Sequence, residues 1–529
     1  MPFSSLFTPI CSDGLGGYGS SLDAIGTLIP TQSLGQAKQS LHINVANGNL
    51  FLRDHTKTLM DLGFSVALGY VYNSQAEMPW RLSVGKQVVA GMGALNTAGS
   101  TVSLTEEDGH RTTYTYDAAS ARYVAKGLVD GTATLTRAAN GTWIRQQMET
   151  GVVEHYDENG LQTDRVDAAG RALQYAYDAQ NRLTNITGAS GQSYKIDYTP
   201  QKTAIYFNDG TQRILLMNYD WDAKGRLSAT HIPVDAQTIY DITYAYNSSD
   251  GYLQTVQQGD GTRYDMTYDE THRVKTFVDG ERRTTQFGYQ DQVTTITDGL
   301  SQTISFQFDV NAHLTHLTQA DMDTAYGYTA DGQLQTVTNP DISTKRYTYD
   351  DLGLLQQSRD EMGNMTSVYH DDQGVPFSRT RYLDAQPLTT YYVHNAQRQL
   401  VYEINATGVV TAYAYDAQGN RISQKTFCGV NYDLSQAQPT VALPQAALEA
   451  WCAAQNPQAI SLTEFQYNAR GQVVRTIQYV HIDAAGHGIL DAQAAQIVLV
   501  PDVFGQVLNR TEQQSATIAT AQQQSFDGL

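Results

Sequence analysis

The chain has 529 residues, of which 41% are apolar, enough to build a core and too many for wholesale disorder. With 34 Lys and Arg against 54 Asp and Glu, its formal charge of −20 excludes the basic surface that a nucleic acid or an anionic membrane requires. The three cysteines, Cys11, Cys428 and Cys452, are too far apart in sequence for a disulfide framework or a Cys-x-x-Cys metal pair.

In chain order, residues 1–40 are rich in Gly and Ser and read as a loosely ordered leader. Gly14-Leu15-Gly16-Gly17-Tyr18-Gly19 has the spacing of a dinucleotide loop. It follows "TPICSD" instead of a strand and leads into more Gly and Ser instead of a helix, so no cofactor is expected. The N-terminus has neither a basic n-region nor an adequate apolar h-region, so no Sec signal is read and synthesis in the cytoplasm is expected, any export using a specialised system. No run is long enough for a membrane span. Residues 41–105 read as opening strands, with "VANGNLFL" supplying an Asn-Gly-Asn turn and "VGKQVVAGMGALNTAGSTVSL" supplying short strands between glycines.

Residues 106–427 are a regular array. An aromatic residue followed by an Asp-like position recurs at Tyr156, Tyr177, Tyr198, Trp221, Tyr246, Tyr268, Tyr289, Phe308, Tyr328, Tyr349 and Tyr415, with His370 and His394 at the same spacing. From Tyr156 to Tyr415 the period is about 21 to 22 residues, too regular for chance. Each unit predicts two strands and two turns. Asp-x-x-Gly, as in Asp222–Gly225, suits a type I turn, and the flanking alternation suits strands with one buried face. In Tyr-x-Tyr both rings face the same side, so stacked units lay an aromatic stripe across the sheet. The fold class is therefore all-β: a repetitive antiparallel ribbon.

Residues 428–464 interrupt the array. Two prolines, Pro439 and Pro444, precede "QAALEAWCAAQN", which predicts one short helix in a surface excursion dispensable for the fold. Residues 465–529 resume the repeat at "FQYNARGQVV" and stop mid-phrase at "SFDGL". About 36 strands at about 4.8 Å spacing give one open loop with a radius of about 27 Å, unable to close by itself.

Trp221-Asp222-Ala223-Lys224-Gly225-Arg226-Leu227 and Tyr177-Asp178-Ala179-Gln180-Asn181-Arg182-Leu183 resemble the YD repeat of the Rhs family, found in bacterial Rhs toxins and in the B and C components of insecticidal toxin complexes. Teneurins carry a similar shell. The resemblance implies that the ribbon winds into a spiral or cocoon-like shell, incomplete in this chain. It also implies that the protein is a non-enzymatic bacterial shell that encapsulates a toxin or effector, within a larger toxin-delivery polypeptide or complex. Its partners would be a C-terminal continuation or partner shell component and the enclosed cargo. The alternative is an adhesion or carbohydrate-binding scaffold with a cell-surface receptor. Shells of this family that release a toxin close with a core containing Asp-Pro near a self-cleavage aspartate. This chain has no Asp-Pro, so self-cleavage is not expected.

No catalytic, cofactor or metal residue is expected. His313 and His316 are three apart on a predicted strand, so their rings should diverge. His370 and His394 stand where Tyr is usual and read as amphipathic substitutes. Asp350-Asp351 and Asp371-Asp372 fall on the repeated turn, where the first Asp already caps the backbone. There is no Gly-x-Ser-x-Gly elbow, and Asn185-Ile186-Thr187 means little without a secretory signal.

Overall fold

A computed structural model describes residues 32–523 except 35–38, 55–57, 126–132, 149, 236, 384–385, 502–505 and 516–517. The Gly-rich leader motif Gly14–Gly19, Cys11 and the final "SFDGL" lie outside the described residues. The chain is all-β. One antiparallel ribbon runs from Gln87–Ala90 to Ile518–Gln523, and almost every strand pairs with the next in sequence. Its strands alternate as the sequence predicts: Ile239–Tyr246 alternates exposed and buried residues along nearly its whole length.

The repeated phrase is built letter by letter. In the unit at Trp221, Asp222 Oδ1 accepts from the backbone N–H groups of Lys224 and Arg226, both at 2.9 Å, and Gly225 N–H donates to Asp222 O at 3.0 Å. Gly225 has φ +74°, the conformation that ends a three-residue hairpin loop. Where Asn181 replaces Gly, its φ is +58°, and Asn tolerates that region. Arg226 Nε donates to Asp222 Oδ2 at 2.8 Å, and its guanidinium lies 4.4 Å from the ring centroid of Tyr246 in the next unit. Tyr246 Oη in turn donates to the carbonyl of Leu227 at 2.6 Å, and Leu227 is fully buried. A β-bulge precedes each of these aromatics, between Asp220 and Trp221 and between Ala245 and Tyr246. Each unit therefore grips its successor at three points: ring, hydroxyl and leucine.

The described residues up to Leu82 do not join the ribbon. Gln39–Ile43, Leu50–Arg53, Tyr70–Asn73 and Trp80–Leu82 form a separate antiparallel sheet with Gln32–Leu34 at its edge. Tyr70–Asn73 is buried at every residue, as a sheet enclosed on both faces must be. Its rings pack on the ribbon: Tyr70 meets Tyr219 at 4.8 Å and Trp221 at 4.9 Å, and Trp80 meets Tyr244 at 5.3 Å. The shared core extends from Leu173 to Val337 of the ribbon. The expected aromatic stripe is present there, and it is core.

The ribbon also coils onto itself, which corrects the single open loop expected from strand counting. Its first strand meets the ribbon again some 75 residues on, through Val88 N–H to Gly160 O at 2.9 Å and Gln162 N–H to Lys86 O at 3.2 Å. A wider coil returns after about 250 residues. Arg171 donates to Gln418 O at 3.1 Å, Arg398 to Met148 O at 2.5 Å, and Arg470 lies 4.0 Å from Asp209. Roughly two dozen strands per coil at about 4.8 Å give a circumference on the order of 110 Å, so the radius is about 18 Å. The flat-circle estimate failed because it ignored twist and the sheet around which the ribbon wraps. No described backbone pairing joins the last strand to the first.

Between Phe427 and Ile460 the chain leaves the ribbon, and the strands on either side pair directly. The helix Gln445–Ala453, the one α-helix among the described residues, starts after Pro444. Leu448 is fully buried, and the excursion packs on Tyr391, Val393, Ile404, Val410 and Phe427. That overturns the expectation of a dispensable surface loop, because removing it would bare an apolar sheet face.

Three substitutions test these assignments. Asp222→Ala removes two backbone acceptor contacts and the Arg226 pair and should destabilise its region by about 1–2 kcal/mol. Ile342, a β-branched residue held at φ +66°, should give the opposite sign, with Ile342→Gly stabilising by about 0.5–1 kcal/mol. Leu448→Ala should cost about 2–4 kcal/mol. Hydrogen exchange centred on each site checks all three, since repeat units contact mainly their neighbours.

Candidate functional site

Cross-strand register carries the face that holds the N-terminal sheet beyond Val337. Tyr347 lies opposite Ser358, Ser358 opposite Thr366, and Thr366 opposite Arg381. The same face continues through Thr390, Tyr392 and Glu403 to Thr411, Tyr413 and Gln424, then Thr463. None of these residues is buried, whereas the opposite face carries Ser378, Tyr391, Ile404 and Phe427 beneath the excursion. Ser378 donates to the carbonyl of Pro439. Two faces of one ribbon thus exchange roles: the first is filled before residue 338 and uncovered after it, and the second is the reverse.

The uncovered face is polar and neutralises itself. Lys345 pairs with Glu361 at 3.1 Å, Tyr413 donates to Glu403 at 3.0 Å, and Arg421 lies over both Tyr413 and Phe465 at 5.3 and 5.1 Å. A surface of this kind makes many weak contacts and favours no single ligand charge.

At the ribbon's start a buried ionic cluster closes the small first coil. Lys86 Nζ lies 2.8 Å from Glu106 and 3.1 Å from Glu154, and Arg145 lies 2.7 Å from Glu154 and donates to Tyr114 at 3.1 Å. Arg145 and Glu154 are fully buried. Burial pushes the Glu154 carboxyl up, but the Lys86 and Arg145 charges outweigh it and hold the group down at about 2. Sequence reading missed this cluster because its four members sit on different strands with no motif between them.

The sequence candidates disperse. His313 takes the place of the repeat's Arg: its Nδ1 is 2.8 Å from Asp309, and its ring stacks on Tyr328 at 4.6 Å. His316 instead faces Asp323 at 2.9 Å, so the two rings have separate partners. His370 follows a unit whose Arg position is Leu354, and it reaches back to Asp350 at 3.1 Å. The Arg–Tyr pair between units is here a Leu–His pair. His394 likewise follows Val375 and lines a cavity of about 520 Å³ between the two coils, with Asp371, Arg398, Gln146 and Leu443. Burial lowers its pKa, Asp371 partly offsets this and Arg398 adds to it. Asp350 and Asp371 cap their own turns through Leu354 and Val375 N–H, both at 2.8 Å. Asp351 and Asp372 sit on the same two turns, and both are exposed. Asn185 donates to Thr187 at 2.6 Å. Cys428 is exposed and Cys452 partly buried, both free, with burial pushing the Cys452 thiol up to about 11. Among the described residues no cluster of His, Cys, Asp and Glu could hold a metal, and no helix is long and apolar enough to cross a membrane.

Comparison with known proteins finds two family models, the Teneurin YD-shell at residues 198–387 and the RHS Repeat at residues 156–193. Teneurin-1 of Homo sapiens is 25% identical over 285 residues, and Teneurin-1 of Gallus gallus is 24% identical over the same length. In each case the match covers 50% of this chain and 9% of the relative. Among solved structures, the TcdB2-TccC3 crystal structure aligns at TM-score 0.40 and 12% identity, covering 91% of this chain and 31% of that one. The Photorhabdus luminescens Tc holotoxin pore aligns at TM-score 0.40 and 11% identity, covering 88% and 27%.

Replacing Glu154 with Gln would strand Lys86 and Arg145 as buried charges, so Glu154→Gln should destabilise the protein by about 3–5 kcal/mol. Because the folded pKa lies below the unfolded value, the contribution of Glu154 is present above about pH 4.5 and is lost as pH falls toward 2. Denaturant titrations from pH 7 to pH 2 should show this acid-side loss in the native chain and a smaller one in the variant.

Proposed function

We propose that the chain, whose residues 198–387 match the Teneurin YD-shell model and residues 156–193 the RHS Repeat model, is a shell-type scaffold of the Rhs/YD-repeat family that encloses a toxin or effector polypeptide and performs no chemistry on it. The observation that carries the reading is the uncovered face after Val337, which continues in register from the face the N-terminal sheet fills. In this reading the sheet is a stopper at one end of the coil, and the open face beyond it is the lining that meets cargo. Self-paired polar groups suit that role, since the lining must hold an unrelated polypeptide without binding it tightly.

Containment needs walls as well as a lining. The coils would supply them through edge-to-edge contacts such as Arg398 with Met148 and Arg171 with Gln418. Further coils would come from a continuation of the polypeptide or a partner shell component, and export would use a specialised system. The alternative, an adhesion or carbohydrate-binding scaffold, would use rings that are not buried, such as Tyr392 and Tyr413, since Tyr194, Tyr219 and Tyr244 are buried.

The test uses the chain in its natural polypeptide or complex. The cargo should survive a protease concentration that degrades the same cargo made alone, and should lose that protection once the shell is unfolded in guanidinium. Equal digestion rates for shielded and free cargo would remove the containment reading.

A further inference from the structure

The contact between the N-terminal sheet and the ribbon contains an acid without a charged partner among the described residues. Asp54 follows the strand Leu50–Arg53, is 2% exposed, and one of its carboxyl oxygens, Oδ2, has no hydrogen-bond partner. Its Oδ1 accepts from Gln39 Nε2. Gln39 also donates to Tyr244 Oη at 2.7 Å on the ribbon and accepts from Gln258 Nε2 at 3.1 Å. The carboxyl therefore belongs to a polar chain that crosses from sheet to ribbon beside the aromatic contacts of the core. A protonated carboxyl needs no counter-charge there, and an ionised one does.

We propose that Asp54 is a pH-sensitive latch, holding the N-terminal sheet in the ribbon while protonated and loosening it when ionised.

The titratable groups that face Asp54 are the phenols of Tyr219 and Tyr244, with Tyr70 beside Tyr219. Burial pushes all three phenols up, so they stay neutral across the working range and supply no charge. Arg53 alternates to the other face of its strand. Burial raises the Asp54 carboxyl to about 6, with Gln39 and the nearby hydroxyls of Tyr219 and Tyr244 opposing that rise. The folded value lies above the unfolded one, so this group favours the docked sheet at low pH. That preference fades as pH rises through about 6 and is gone above it. The direction is opposite to that of Glu154. Asp54 would make the stopper tightest in acid and easiest to withdraw near neutrality.

Hydrogen exchange on the full chain, corrected for the intrinsic pH dependence of amide exchange, reads the opening of the sheet. Between pH 4.5 and 7.5 the opening equilibrium of residues 39–54 and 64–82 should rise about 30-fold, with a midpoint near 6. The ribbon strands Leu400–Ile404 and Val410–Tyr415, which lie away from the sheet, should not follow it. Asp54→Asn should abolish the rise. Tyr219→Phe, which removes a hydroxyl favouring the ionised form, should shift the midpoint upward and serves if the Asn variant does not fold. A flat profile, a rise that survives Asp54→Asn, an unmoved midpoint in Tyr219→Phe, or distant strands opening in step with the sheet would each overturn the latch.

Discussion

A tyrosine hydroxyl bonded to the carbonyl of a leucine one unit earlier is the tie on which the ribbon depends. It recurs at 2.8 Å from Tyr198 to Leu183, from Tyr268 to Leu253, from Tyr328 to Leu314 and from Tyr415 to Leu400. The carbonyl belongs to a residue beside a β-bulge, where the ladder is locally disrupted. The phenol repairs that loss, and its ring gives the preceding unit's arginine a surface to lie on, as Arg182 does over Tyr198 and Arg273 over Tyr289. Regular backbone pairing would let a ribbon slip by two residues; a bulge with a dedicated hydroxyl does not. The period is held by this contact.

A fixed period with a bulge in nearly every unit curves the ribbon repeatedly in the same sense, and the coil follows from that curvature. Its edges are rows of Asp-capped turns, and a second coil settles on the first through arginines that reach carbonyls across the seam. The inner volume is then disposed of in two ways. Around the first part of the wide coil it is filled by the N-terminal sheet, with aromatic contacts as close as 4.8 Å. Farther on the same face carries Ser, Thr, Arg and Glu beside Tyr392 and Tyr413, none of them buried, and the excursion protects the apolar residues on the other side. In the proposed function this change from buried aromatic to mixed polar lining is a change of duty, from core to inner surface.

Charge is placed by the same logic. Many carboxylates sit on turns, where backbone N–H groups satisfy them and, as at Asp167 and Asp279, an arginine four residues on pairs with them. Two buried acids sit instead at closures. Glu154, paired with Lys86 and Arg145, locks the small first coil. Asp54 has no charged partner among the described residues where the sheet meets the ribbon.

The sequence by itself determined everything with the range of a single unit. The turn, the alternation and the aromatic stripe are all legible, because Asp222, Gly225, Arg226 and Leu227 act on atoms within about one repeat of themselves, whereas the bulge before Trp221 or Tyr415 was seen only in the structure. The helix after Pro444 was legible for the same reason. Whether a ring such as Tyr219 lines a space or fills a core was decided only by the N-terminal sheet, whose partner strands lie more than a hundred residues away. The ionic cluster at Glu154 and the acid at Asp54 were equally silent, since their partners come from strands with no common motif. Coil radius, too, depends on twist summed over many units and on what the ribbon wraps. Short-range geometry repeats and can be read from one phrase; what each face meets depends on contacts between distant strands, and only the tertiary structure sets those.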